Sequence, residues 1–242
     1  MSGYRDLPRD WKAWWNTSEA VQSPDSYRQV GRTVSGVATG DADPASVCDA
    51  IVEALALTGT ETLLDLCCGN GLVTSLVAAH CRHVVAVDYS APLIGAARLH
   101  HARGNVDYVV ADVSRLDAVA VDLSQTDAAY MSLAFQYFDS DKARALLASL
   151  RAVVPPRCRL FLEDIPDAAR LFDFYNTPER QAEYRRRIAD GTEAIGHWWS
   201  ADDLVRLAAS EGFDCRIITQ PAQRFRTHYR FDAMLRPRGC PP

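Results

Sequence analysis

The stretch Leu63-Leu-Asp-Leu-Cys-Cys-Gly-Asn-Gly71 decides the fold predicted for this chain. Its apolar start is typical of a parallel strand covered on both faces, because such strands do not alternate with polar residues. Gly69 and Gly71 allow the backbone to turn sharply, and they leave no side chain between it and a ligand. A strand and a tight turn are therefore predicted, although such a turn taken alone indicates no more than a connection from strand to helix. The apolar residues that predict the following helix by their spacing are Leu72, Val73, Leu76 and Val77.

The alternation of strand and helix continues on both sides of this stretch. Asp43 and Pro44 are predicted to cap and start a helix before the first strand. Strands that alternate with helices imply right-handed crossovers and a parallel sheet. Two antiparallel strands predicted at the end of the sequence would add a mixed edge. The later strands are predicted at residues 83–88, 106–112, 127–133, 159–163, 213–219 and 228–235, with helices after Ser90 and Asp139.

These elements predict an α/β fold with a doubly wound, Rossmann-like mixed sheet, mostly parallel with an antiparallel C-terminal edge. A chain of 242 residues suits a single domain of this kind. Three tryptophans near the start can pack against the core, the simpler interpretation, or close over a ligand as a lid; they are Trp11, Trp14 and Trp15. We expect residues 1–45 to form an N-terminal lid segment, 46–164 the cofactor-binding core, 165–199 an insertion after the fifth strand that also acts as a lid over the acceptor, and 200–242 the closing helix and strands.

The composition and the net charge limit the classes of function that this chain can have. The net charge of -5 and the lack of a basic surface argue against nucleic acid as a partner. The sequence has no apolar run long enough for a membrane span and no apolar signal-peptide core, and its seven cysteines are an odd number, so we expect a cytoplasmic protein. Cysteines and histidines lack the spacing of metal ligands, and no metal is expected. A homodimer is left open.

The ends of the predicted parallel strands converge on one crevice, where open α/β sheets bind their ligands. This arrangement brings Gly69, Asp88, Asp112 and Met131 together. Asp88 follows the glycine turn by about twenty residues, a spacing that suits an acid accepting hydrogen bonds from ribose hydroxyls. Either acid considered alone could equally be a helix cap or turn residue. The ordered set therefore predicts a nucleoside-binding crevice.

The glycine turn distinguishes between possible nucleosides. A dinucleotide fingerprint requires a third glycine where this chain has Thr74. Asp65 adds negative charge close to the turn, which would suit a cationic cofactor better than a pyrophosphate. A nicotinamide-dependent oxidoreductase is therefore a disfavoured alternative.

At these residues the chain resembles the class I S-adenosylmethionine-dependent methyltransferases. The segment from Asp65 to Gly71 is similar to their first motif, with Cys67 in place of the first glycine, and the similarity extends over about residues 47–163. The resemblance implies that the loop, including Cys67, Cys68, Gly69 and Gly71, contacts the methionine part of S-adenosylmethionine. It also implies that Asp88 holds the ribose, that Tyr89 flanks the adenine, and that Asp112 and Val113 contact the adenine edge. Residues 127–136 look like the fourth motif, which faces the methyl group and includes Met131, and Tyr27 and Arg32 are candidates for contacts with the methionine and its carboxylate.

Methyl transfer is an in-line displacement, so the protein mainly supplies alignment, a dry cavity and, for an acidic nucleophile, a base. His197 is the first candidate for that base, against the simpler interpretation of a surface or capping histidine. Gln136 or Tyr137 would orient the acceptor. We expect S-adenosylmethionine-dependent methyl transfer to an O, N or C atom of a small molecule, in secondary or sugar metabolism. A protein that binds the cofactor without transferring methyl, such as a cyclisation catalyst or a regulatory module, remains the alternative.

Overall fold

The computed structural model describes residues 10–34, 37–193, 195–224 and 226–239. It opens with an N-terminal segment that precedes the main sheet. Asp10 caps its first helix, since its side chain accepts a hydrogen bond from the N–H of Ala13. This segment contains helices α1 (Trp11–Thr17) and α2 (Ser26–Gln29) and the paired strands β1 (Thr33–Val34) and β2 (Val37–Ala38).

The main sheet is mixed and, among the described residues, has seven strands. Five strands run parallel to one another, and the last two are antiparallel to their neighbours, so the predicted sheet is confirmed. The strands are β3 (Thr62–Leu66), β4 (His83–Asp88), β5 (Val106–Val110), β6 (Ala128–Ser132), β7 (Arg159–Pro166), β8 (Phe213–Ile218) and β9 (Arg230–Pro237). Their order across the sheet is β5-β4-β3-β6-β7-β9-β8.

Helices connect the strands and cover the sheet. Ser90, Asp139 and Ser200 each cap a helix by accepting a hydrogen bond from a main-chain N–H, as their position before an apolar segment predicts. Short 3-10 segments lie at residues 78–80, 113–118, 135–137 and 168–170. The remaining helices are α3 (Ala42–Leu55), α4 (Thr74–Val77), α5 (Ala91–His100), α6 (Ser140–Val153), α7 (Leu171–Phe174), α8 (Pro178–Asp190) and α9 (Ala201–Ser210). No helix within the described ranges is both long and apolar enough to cross a membrane.

Strand β3 is central, and its apolar residues face both layers of the core. Leu64 belongs to the apolar cluster that includes Leu147 of α6, and Leu63 belongs to the cluster that includes Ile51 of α3. All four side chains are fully buried, and burying each contributes about 1.5–3 kcal/mol. Helices on both faces explain why this strand does not alternate with polar residues.

Several predicted strand bounds differ from the structure by one or two residues. Three predictions differ for a reason that the structure shows. Asp43 does not cap α3, which begins at Ala42, because the Asp43 carboxylate pairs with Arg32 instead. The helix after the glycine turn is a single turn, α4, followed by a 3-10 segment, so the predicted helix is shorter than its apolar spacing indicated. Strand β7 extends to Pro166, because its pairing with β9 resumes at Ile165 beyond an irregularity.

The chain order of the strands reverses at β3. From β3 the chain proceeds outward through β4 and β5, whereas β6 and β7 lie on the other side. The carboxyl ends of β3, β4 and β6 therefore open into one crevice, which is where ligands bind in sheets of this kind.

Candidate functional site

The loop after β3 adopts a left-handed backbone at three of its residues. Cys67, Gly69 and Gly71 have φ angles of 61°, 57° and 77°. A residue with a Cβ costs roughly 1–2 kcal/mol in this conformation, whereas glycine does not. Cys67 therefore carries strain at the position where the related motif has a glycine.

Both glycines of this loop also lie too close to neighbouring side chains to accept a Cβ. A Cβ on Gly69 would approach Cγ1 of Val30 to 2.9 Å, and one on Gly71 would approach the hydroxyl oxygen of Tyr108 to 2.4 Å. The N-terminal segment therefore packs directly on the loop. Asn70 joins the two, since its Nδ2 donates to the carbonyl oxygen of Ser26 at 2.8 Å.

Asp88 ends β4 beside this loop and is 5% exposed. Its Oδ2 accepts a hydrogen bond from the N–H of Gly69 at 2.9 Å, and its Oδ1 accepts one from the N–H of Ser90 at 2.8 Å. Burial raises the pKa of Asp88 to about 6, although these main-chain bonds act in the opposite direction. Each carboxylate oxygen can accept a further hydrogen bond, so Asp88 retains capacity for ligand hydroxyls.

The Asp65 carboxylate connects neighbouring elements beneath the loop through hydrogen bonds. Its Oδ2 accepts hydrogen bonds from Thr74 Oγ1 and from the hydroxyl of Tyr130, each at 2.6 Å. Burial raises the pKa of Asp65 to about 7, despite both bonds. The acid that the sequence placed beside the turn is therefore buried and shared between β3, β6 and α4.

Asp112 follows β5 and also lines the crevice. Its Oδ1 accepts hydrogen bonds from the N–H and the hydroxyl of Ser114 at 3.0 Å and 2.7 Å, and its Oδ2 pairs with the Lys12 ammonium group. Burial acts to raise the pKa of Asp112, but the bonds from Lys12 and Ser114 outweigh it, and the pKa is lowered. Asp112 is therefore ionised at neutral pH and bound to α1.

Helix α1 lies across the crevice and is anchored to β4 and α5. The Tyr89 hydroxyl donates to the carbonyl oxygen of Trp11 at 2.9 Å, and Ser90 Oγ donates to that of Trp15 at 2.6 Å. The ring of Tyr137 lies 4.6 Å from that of Trp11 and 5.7 Å from that of Trp15, measured between centroids. Aromatic rings from α1 and from the segment after β6 thus meet over the crevice.

Together these elements enclose a cleft of about 290 Å³. Its lining includes the loop, the acids that end or follow the strands, and the aromatic residues of α1. Ten of the site residues predicted from sequence line it: Arg32, Asp65, Cys67, Cys68, Gly69, Asp88, Tyr89, Asp112, Val113 and Tyr137.

Five other predicted site residues lie outside this lining. Tyr27 donates its hydroxyl to Asp41, and Gly71 lies beneath Tyr108. The other three are Met131, Gln136 and His197.

Met131 is fully buried in the core, because side chains alternate along a strand and its neighbour Ser132 faces the cleft. Gln136 is buried and its Oε1 accepts a hydrogen bond from Arg230 at 2.7 Å. The main-chain N–H of His197 donates to the carbonyl oxygen of Gln136 at 2.7 Å, and its ring lies edge-on to Trp199. Gln136 thus connects the insertion to β9 without reaching the cleft.

The structure also brings two residues to the cleft that sequence reasoning did not single out, Lys12 from α1 and Ser132 from the end of β6. Trp15 of α1, which the sequence offered as a possible lid residue, lines the cleft as well. The indole Nε1 of Trp15 is buried and has no hydrogen-bond partner among the described residues. Strand alternation from Tyr130 would have indicated Ser132, whereas the placement of α1 has no signal in local sequence. Across the described ranges, no three histidine, cysteine, aspartate or glutamate side chains are arranged to hold a metal ion.

Comparisons with known proteins find related methyltransferases. Residues 63–157 match the family model described as a methyltransferase domain. The chain is 33% identical over 87 residues to an uncharacterized methyltransferase of Schizosaccharomyces pombe, which is 36% of this chain and 32% of that protein. It is 34% identical over 65 residues to one of Mycobacterium tuberculosis, covering 27% of this chain and 33% of that protein. The matched part therefore spans about a third of the length of these relatives.

A solved structure extends the likeness over most of the fold. Magnesium protoporphyrin IX methyltransferase from Synechocystis PCC 6803, with bound S-adenosylmethionine, superposes with a TM-score of 0.58 at 14% sequence identity. The match covers 92% of this chain and 93% of that chain, and at this identity it shows the fold alone. The family model and the curated relatives identify residues 63–157 as a methyltransferase domain, and the motif on β3 and the fold agree with the class I S-adenosylmethionine-dependent type.

Proposed function

We propose that this chain binds S-adenosylmethionine in the cleft over residues 67–71 and transfers its methyl group to a small-molecule acceptor. The observation that carries the proposal is the position of Asp88. Its carboxylate lies at the cleft beside the side-chain-free Gly69, and it retains hydrogen-bonding capacity for two ribose hydroxyls.

The charge of the cleft also supports this cofactor. When bound, S-adenosylmethionine supplies a methyl group on a positively charged sulfur. Asp65 and Asp88 line the cleft and would stabilise a nearby positive charge. The rings of Trp15 and Tyr137 line it as well, and aromatic faces attract cations.

A small acceptor suits the shape of the cleft. Helix α1 covers it through the bonds that Trp11 and Trp15 accept, so the N-terminal segment would act as the lid over cofactor and acceptor. The remaining lining at the β6 end is mostly apolar and includes Leu133, Ala134 and Phe138. Such a surface excludes water and favours a compact, partly apolar acceptor.

Calorimetric titration of the purified protein tests the cofactor. We expect S-adenosylmethionine and S-adenosylhomocysteine to bind and the oxidised and reduced nicotinamide dinucleotides not to bind. Asp88→Ala should weaken binding of both sulfur compounds by roughly 1.5–3 kcal/mol, the range for hydrogen bonds to a charged group. Asp107→Ala is the matched control, because this acid lies on β5 and is exposed outside the cleft.

The results of these titrations distinguish the proposed function from its alternatives. Dinucleotide binding without S-adenosylhomocysteine binding would overturn the proposal. Normal affinity in Asp88→Ala would remove this residue from the site. Tight binding of both sulfur compounds, with no S-adenosylhomocysteine formed from any acceptor, would favour a cofactor-binding protein without transfer activity.

A further inference from the structure

Ser132 is the last residue of β6, and its hydroxyl has two partners on the floor of the cleft. Its Oγ donates to Oε2 of Glu163 at 2.7 Å, and it accepts a hydrogen bond from Nη2 of Arg32 at 3.1 Å. Ser132 and Glu163 face each other in the register of β6 and β7. Ser132 lines the cleft, whereas Glu163 is 1% exposed and lies behind it.

These two partners fix the direction of the Ser132 proton. A guanidinium group only donates hydrogen bonds, so Arg32 cannot receive the hydroxyl proton. An ionised carboxylate only accepts, so the proton points toward Glu163. The second lone pair of Ser132 Oγ is then available to the cleft, where it can accept a hydrogen bond from an O–H or N–H group.

The surroundings of Glu163 suit a group that exchanges a proton. Arg224 forms an ion pair with its Oε1, and the charges of Arg32, Asp164 and Asp232 also act on it. Burial raises the pKa of Glu163 well above its ordinary value, and the neighbouring acids raise it further while the two arginines lower it. A carboxylate with a raised pKa is a more effective base near neutral pH than an exposed one.

We propose that Ser132 and Glu163 form a proton relay for the methyl acceptor, and that this acceptor carries a phenolic hydroxyl. The inference rests on the proposed methyl transfer. The acceptor hydroxyl passes its proton to Ser132 Oγ while the Ser132 proton passes to Glu163. The acceptor oxygen uses its electron pair to bond the methyl carbon, the carbon–sulfur bond breaks, and its electrons remain on sulfur in S-adenosylhomocysteine. Glu163 afterwards releases the proton to water.

The acceptor class follows from the cleft itself. A hydroxyl that must lose a proton needs a base, and the relay supplies one at the cleft floor. The rings of Trp15, Tyr137 and Phe138 line the same cleft and would pack against a flat aromatic acceptor. Both features are satisfied by a phenol. Arg32, which already pairs with Asp43, holds Ser132 in place for this role.

The test compares phenol with 4-nitrophenol as methyl acceptors, using S-adenosylhomocysteine formation as the measurement. The pH is chosen so that 4-nitrophenol is already ionised and phenol is not. Ser132→Ala and Glu163→Gln should lower kcat with phenol by about a hundredfold, which is typical of a lost base. Both variants should retain turnover of 4-nitrophenol, because this acceptor needs no base.

Further variants and measurements make the test specific. Ser132→Thr keeps the hydroxyl and should restore turnover of phenol. Ser46 is an exposed serine on α3, so Ser46→Ala is the control for the removal of a serine hydroxyl. Because Glu163 must be ionised to act, kcat of wild type with phenol should rise with pH and level off once Glu163 is ionised, whereas Ser132→Ala and Glu163→Gln should show only the rise that follows the ionisation of phenol itself. Affinity for S-adenosylhomocysteine, measured by calorimetry, should be the same in wild type and Ser132→Ala.

Several results would overturn the relay. Equal loss of turnover with phenol and 4-nitrophenol would show a structural role, and loss of S-adenosylhomocysteine affinity in Ser132→Ala would show that this residue holds the cofactor. A wild-type protein that binds S-adenosylhomocysteine but methylates neither probe would overturn the phenolic acceptor and leave the proposed cofactor standing. A wild type that does not bind S-adenosylhomocysteine would instead overturn the proposed function itself.

Discussion

The ammonium group of Lys12 pairs with the carboxylate of Asp112, and this contact holds α1 to the segment after β5. Both side chains are partly exposed, and such ion pairs contribute about 0.2–1 kcal/mol. If α1 must move to admit the cofactor, weakening the pair eases opening. Lys12→Ala should therefore speed association and dissociation of S-adenosylhomocysteine by up to about fivefold, the factor for 1 kcal/mol.

Stopped-flow tryptophan fluorescence can follow these rates, since Trp11 and Trp15 lie at the cleft. Raised ionic strength should have the same effect in wild type, because salt screens exposed pairs. Arg206→Ala is the control, as it breaks an exposed ion pair with Asp203 within α9. Unchanged rates in Lys12→Ala would show that α1 does not gate the cleft through this contact.

The raised pKa of Asp88, about 6, gives cofactor binding a pH dependence. Ligand hydroxyls donate more strongly to an ionised carboxylate, so affinity for S-adenosylhomocysteine should fall as the pH drops through about 6 and level off above it. Asp88→Asn should bind more weakly and lose this dependence. Calorimetry across this range checks the prediction, and an identical pH profile in both proteins would contradict it.

Gly71 and Gly95 provide a matched pair of glycine substitutions. Gly71→Ala should destabilise the protein by about 1–3 kcal/mol, because its Cβ would meet the Tyr108 hydroxyl and its φ is positive. Gly95 is an exposed position in α5 with no atom within 4 Å of an added Cβ, so Gly95→Ala should stabilise by about 0.5–1 kcal/mol. Denaturant unfolding measures both changes, and equal midpoints would contradict the packing described for Gly71.

Because of Asp65, the free energy of unfolding should fall as the pH rises. Its pKa is raised from 3.8 to about 7 in the folded protein, so the folded state binds its proton more tightly than the unfolded state. The stability that this proton contributes is present below the unfolded pKa and is lost toward pH 7, by about 4 kcal/mol at most. The free energy of unfolding of wild type relative to Asp65→Asn should fall accordingly. Asp107→Asn is the control, and a constant difference for Asp65→Asn would contradict the shift.

The position of His197 outside the cleft predicts a small effect of its removal. His197→Ala should change kcat by far less than the roughly hundredfold that a general base contributes. Steady-state kinetics with phenol as the methyl acceptor, together with S-adenosylhomocysteine affinity, measures this. A hundredfold loss of kcat with normal affinity would restore His197 as the base.

The sequence predicted the sheet, the loop and the acids because these depend on local pattern. The apolar run at Leu63, the glycines of the loop and the acid at Asp88 are each recognisable within a few residues of chain. The predicted fold and family are confirmed. The predicted boundaries of α3 and β7 were wrong because Asp43 pairs with Arg32 and because β7 pairs with β9, which lies far along the chain.

The sequence by itself determined that β3 and its loop form the centre of a methyltransferase domain, since strand burial and left-handed turns restrict which residues fit. Only the tertiary structure decided the rest of the cleft lining. It placed Ser132 there and Met131 in the core by the pleat of β6, and it brought Lys12 to Asp112 across 100 residues. Contacts of this kind depend on how distant elements pack, and no local pattern of residues records that packing.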